Sequence, residues 1–153
     1  MPDSFDFIGA SDRPALIACS RAAWADTAKT VLQDLGYKVH AVTAHDEFAT
    51  RFSQVAYQLV VIEELFAANN PEENISLKSL QTMPMGRRRH ATIILLGDGF
   101  QTLDPMQAFQ QSVHGVVNGS EVAMLRPLVE KAVADNELFL HSFREVQSRV
   151  ARL

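Results

Sequence analysis

Cysteine is nearly missing from this chain: Cys19 is the only one. A single thiol forms no internal disulfide and anchors no cysteine-based zinc cluster. An excess of positive charge is missing as well. With 14 basic against 18 acidic residues the net charge is -4, which gives no general drive toward nucleic acid or an anionic membrane. No apolar run reaches the roughly 20 residues that a membrane-spanning helix needs. The stretch Met1 to Pro14 has no basic region followed by an apolar one, so it does not read as a secretory signal. The five histidines, His40, His45, His90, His114 and His141, show no metal-ligand spacing. There is no internal repeat and no low-complexity tract. These absences leave a soluble, cytoplasmic globular protein as the expected class, without metal or cofactor. At 153 residues it is long enough for one domain with a sizeable core.

What is present is a regular alternation. Ala15-Leu16-Ile17-Ala18-Cys19 is a short apolar run, as expected of a strand buried on both faces. Ser20 is placed to cap a helix that runs to Leu35, and Gly36 to end it. Residues 38–43 read as a strand and 45–56 as a helix, with Phe48 and Phe52 one turn apart. Gln58-Leu59-Val60-Val61-Ile62 is the most apolar strand and delivers Glu63 and Glu64 at its end. A loop over 67–75 precedes a short helix over 76–83, closed by Pro84 and Gly86. Residues 92–96 form another buried strand. Asp104-Pro105 starts a helix to about residue 111, and residues 113–117 form the last strand. Ser120 is placed to cap a long final helix, with Glu121 in its first turn. Five strands, each followed by a helix, predict an α/β fold with a parallel sheet covered on both faces.

Several stretches in this order are similar to the response-regulator receiver family. They are Leu35-Gly36-Tyr37, residues 57–65, Met83-Pro84-Met85-Gly86-Arg87-Arg88-Arg89, and His114-Gly115-Val116-Val117. The resemblance covers roughly residues 14–134. It implies a flavodoxin-like doubly wound sheet of strand order 2-1-3-4-5. Active receivers place two acidic residues after the first strand to hold Mg²⁺, an aspartate acceptor after the third, a Ser/Thr after the fourth and a lysine after the fifth. On this chain those positions carry Cys19 and Ser20, then Glu63, then Leu96 or Gly97, then Asn118 or Gly119. The resemblance therefore implies a degenerate member, a pseudo-receiver. Glu63 keeps a carboxylate one methylene further out, an error of reach that phosphoryl transfer tolerates poorly. Leu96, Gly97, Asn118 and Gly119 supply no cation to answer it. The loop after the first strand, Ser20-Arg21-Ala22-Ala23, is no glycine-rich cradle for a flavin phosphate. Cys19 reads as a small buried hydrophobe, and Arg87-Arg88-Arg89 as a solvated turn.

The C-terminal helix carries a separate signal. From Val122 apolar positions step by three and four, with Val122, Val129, Asn136, Phe143 and Val150 at heptad position a and Leu125, Ala132, Phe139, Val146 and Leu153 at d. The half beyond residue 135 runs past the receiver fold. Asn136, Phe139, Phe143, Val146, Val150 and Leu153 are expected to form a homodimer seam, with Asn136 fixing register. The chain is thus expected to comprise a lead-in over 1–13, a receiver-like body over 14–134 and a helical extension, a coiled coil, over 135–153. The expected function is a non-catalytic interaction and dimerisation module in bacterial signalling, with a protein partner of unknown identity and no role for nucleic acid or membrane. Two alternatives stay open. One is an atypical phospho- or metal-dependent switch using Glu63 or Glu64 with Asp98. The other is a small-molecule sensor in the crevice above Cys19, Glu63 and Asn118.

Overall fold

A computed structural model of the chain describes Gly9, residues 11–84, Arg88 and residues 91–151. Five parallel strands form one sheet in the order β2-β1-β3-β4-β5. They are β1 (Pro14–Ala18), β2 (Lys38–Val42), β3 (Leu59–Glu63), β4 (Thr92–Gly97) and β5 (Gly115–Asn118). The helices are α1 (Ala22–Asp34), α2 (His45–Gln54), α3 (Ile75–Thr82), α4 (Pro105–Gln110) and α5 (Leu125–Ala151). The expected α/β class and strand order are the ones observed.

Apolar runs make the central strands because both faces are covered. In β3 alternate residues feed two cores. Val60 and Ile62 join Leu16, Phe48, Tyr57, Phe66 and Leu80 on one side. Leu59 and Val61 join Ile17, Leu32, Leu96, Leu125 and Val129 on the other. Each such side chain contributes roughly 1.5–3 kcal/mol when fully buried. Register then sets the functional edge: Ala18 pairs with Ile62, Glu63 with Leu96 and Gly97 with Asn118. The strand ends that carry Cys19, Glu63, Asp98 and Gly119 therefore share one edge of the sheet.

Helix ends show which local signals held. Gly36, at φ +91°, ends α1. Its amide bonds the Gln33 carbonyl at 3.0 Å and the Tyr37 amide bonds the Leu32 carbonyl at 3.0 Å, a paired closure that the left-handed glycine allows. Asp104 caps α4 by accepting from the Met106 and Gln107 amides, with Pro105 next. Asn74, not a residue inside the helix, caps α3 by accepting from the Leu77 amide.

Two expected caps are corrected. The Ser20 side chain does not cap α1: it accepts a hydrogen bond from the Ala67 amide at 2.7 Å, and the helix begins after Arg21. Ser120 does not start the last α-helix either. Residues Gly119–Met124 form a 3-10 helix, and α5 begins at Leu125. Pro127 has no N–H to donate and belongs in the first turn, so it sets the start of α5 later than the hydroxyl suggested. The last strand lies at Gly115–Asn118, two residues beyond its expected start. The expected contributions of Met85, Gly86, Arg87, Arg89, His90 and Leu153 lie outside the described residues. Among the described residues no helix is long and apolar enough to cross a membrane.

Candidate functional site: the strand-end crevice

Glu63 is the centre of the edge. It ends β3, and only 3% of its surface is exposed. A carboxylate taken out of water needs donors or a cation. Both are supplied. Oε1 accepts from the Ser20 amide at 2.8 Å and from the Arg21 amide at 3.1 Å. Oε2 lies 3.7 Å from Nε of Arg21. Those amides precede α1, where unpaired N–H groups and the helix dipole both favour an anion. Glu63 thus anchors the turn between β1 and α1.

Arg21 continues across the edge. Its Nη2 donates to Oδ2 of Asp98 at 2.6 Å and its Nη1 to Oδ1 at 3.4 Å. The guanidinium lies over the Trp24 ring, 4.1 Å from its centre. The hydrogen bond to Asp98, then the charges of Asp98 and Glu63, hold the guanidinium above its usual pKa. Trp24 in turn packs on Gly119, where a Cβ would fall 1.8 Å from Cζ2 of the ring. Only glycine admits that approach.

The other positions are occupied by structural duties. Leu96 is wholly buried in the core. At Gly97 a Cβ would meet the Phe100 ring at 2.7 Å. The Asn118 amide donates to the Asp98 carbonyl at 3.1 Å and the Phe100 carbonyl at 2.9 Å, while its oxygen accepts from the Ser120 amide and hydroxyl. Cys19 is buried. Desolvation first, then the charge of Glu63, pushes its thiol up to about 12, so no thiolate forms near neutral pH. Glu64 is held above the usual carboxylate range by burial, then by the charges of Asp98 and Glu72. The Asn74 side chain donates to the carbonyls of Glu63 and Glu64, both at 3.0 Å, fixing the end of β3 to the start of α3. Among the described residues no three His, Cys, Asp or Glu side chains are grouped to hold a metal ion.

A receiver-domain protein (CheY-like) from Methanospirillum hungatei superposes with a TM-score of 0.63 at 14% identity, covering 83% of this chain and 98% of that one. A yeast Spc42 trimeric coiled-coil segment fused to another structure superposes with a TM-score of 0.66 at 18% identity, covering 89% and 85%. NtrX of Brucella abortus gives 0.65 at 11% identity, covering 92% of this chain but 30% of that longer one. The chain has the receiver-domain fold. No family model matches the sequence, and no curated protein matches it.

The proposed seam residues are placed differently from one another. Asn136 is buried against its own body, and its amide donates to Oγ1 of Thr92 at 3.0 Å. That corrects its expected place in the homodimer seam, since its side chain is spent within its own body. The inner stripe of α5 runs Leu125, Val129, Ala132, Asn136 and then Leu140, not Phe139. At 3.6 residues per turn Phe143 and Val150 lie five whole turns beyond Leu125 and Ala132, on the same side of the helix. Phe139, Phe143, Val146 and Val150 form an outward stripe because α5 runs past the body there, and they are 56%, 39%, 58% and 63% exposed. Phe139 and Phe143 stack on each other with centroids 6.4 Å apart.

Sequence reading missed Arg21, Trp24 and Asn74. Arg21 reaches partners 42 and 77 residues away, and no local spacing marks such contacts. The signals available were slight: a lone tryptophan three residues after an arginine, and a glycine after the fifth strand.

Proposed function

We propose that this chain is a pseudo-receiver: a non-catalytic interaction and dimerisation module of bacterial signalling, independent of aspartyl phosphorylation. One observation carries the reading. The carboxylate at the acceptor position is spent internally, with one oxygen bonded by two backbone amides and the other facing Arg21. A phosphoryl acceptor must present an oxygen in line with its donor, beside a cation and groups that answer the transferring charge. Leu96, Gly97, Asn118 and Gly119 supply neither a hydroxyl nor an ammonium. The partner in this reading is a second copy, paired through Phe139, Phe143, Val146 and Val150 with Leu153 continuing the pattern. The body extends to Leu140 and the remaining turns of α5 serve assembly.

Incubation with acetyl phosphate and Mg²⁺, or with beryllofluoride and Mg²⁺, tests the chemistry. The expected result is an intact mass without a phosphoryl adduct and an unchanged Trp24 emission spectrum. Stoichiometric labelling that disappears in Glu63→Gln would return the chain to the class of phospho-switches.

A further inference from the structure

The side chains of Arg21 and Asp98 are 45% and 64% exposed. An isolated pair of that kind contributes little. This pair is not isolated. The same guanidinium faces the buried carboxylate of Glu63 and stacks on Trp24, which lies on Gly119. The backbone amide of Arg21 also bonds Glu63. One residue therefore touches the ends of β1, β3 and β4 directly and the end of β5 through Trp24. Asn118 adds a second tie, since its amide holds two carbonyls of the loop after β4, at Asp98 and Phe100.

We propose that Arg21 is an internal clamp, a built-in cation that couples the turn after β1 to the loop between β4 and α4 and holds the crevice in one state without an external ion or phosphoryl group. The inference rests on the reading of the crevice as non-catalytic, and it assigns the device that does the holding. The guanidinium answers the second oxygen of Glu63, 3.7 Å from Nε, which the two amides leave open, and Asp98 orients that guanidinium through two N–H groups in a fixed fork, a geometry lysine does not reproduce. The Trp24 ring fixes the plane of the fork. Release at Asp98 must therefore be felt at Ser20, although Asp98 makes no hydrogen bond to that residue.

Amide hydrogen exchange on the full chain reads this coupling. Arg21→Ala, Arg21→Lys and Asp98→Asn are compared with wild type, with the β3 amides as an internal control for an intact fold. Asp98→Asn is expected to raise exchange at the amides of residues 20 and 21 by about fivefold or more. Arg21→Ala raises exchange there and in residues 98–104 together, Arg21→Lys falls close to Arg21→Ala, and Arg21→Ala/Asp98→Asn adds nothing further. If Asp98→Asn loosens only its own loop, or if Arg21→Ala leaves residues 98–104 as protected as before, the contacts are independent and the clamp does not exist. Phosphoryl labelling of Glu63 would instead sink the non-catalytic reading, so the two failures are separable.

Discussion

At the scale of single residues, polar contacts tie the base of the sheet to the strand before it and to the last helix. His114 accepts from the Ile93 amide through Nδ1 at 2.8 Å, and the Asn136 amide donates to Oγ1 of Thr92 at 3.0 Å. The imidazole must be neutral for Nδ1 to accept. Burial first, then the nearby Arg88 charge, pushes its pKa down from 6.5 to about 4. The unfolded chain therefore binds a proton at this site over a range where the folded protein does not. Stability falls as pH drops from about 6.5 toward 4 and levels off below. Urea titrations between pH 7 and 4 check this: His114→Gln should flatten the slope in that window. An unchanged slope would assign acid sensitivity to other groups.

At the scale of elements, α5 is two helices in one. Its 27 residues extend about 40 Å at 1.5 Å per residue. The first part covers the core with Leu125, Val129, Ala132 and Leu140, while residues 141–151 are all exposed. Substitutions on the two stripes should separate cleanly. Leu140→Ala opens a cavity beneath the helix and should lower unfolding free energy by about 2–4 kcal/mol. Phe143→Asp falls on the outward stripe, beyond the last buried residue of α5, so it should leave the fold unchanged and abolish self-association. Denaturation and light scattering on both variants decide the matter. A monomeric wild type at high micromolar concentration would remove the seam.

At the scale of the whole molecule, assembly and folding should be linked. If a second copy binds the outward stripe, the melting temperature of the full chain rises with protein concentration, because association stabilises the folded state by mass action. A chain cut after Leu140 keeps every buried contact of α5. It should remain folded, monomeric and independent of concentration in its melting. The expected division at residue 134 would remove Asn136 and Leu140 from their places under the sheet and leave the Thr92 hydroxyl without this partner, so a cut there is expected to destabilise the body.

Much of this was legible in the sequence, and the reasons are local. Runs such as Leu59-Val60-Val61-Ile62 specify buried strands through composition alone, and alternation with helices then limits the topology to a parallel sheet. Gly36 and Asp104-Pro105 marked helix ends because backbone geometry at those points depends on the residue itself. The sequence also placed Glu63 at the strand end and showed that hydroxyl and lysine were missing beside it. Only the tertiary structure decided what Glu63 does. Its partners come from a loop 42 and 43 residues earlier, and whether a carboxylate is displayed or spent depends on those distant donors. The same holds for α5. Its heptads were readable, but which part of the stripe is buried depends on where the body ends: that surface covers Asn136 and Leu140 and leaves Phe143 and Val150 exposed on the same side of the helix.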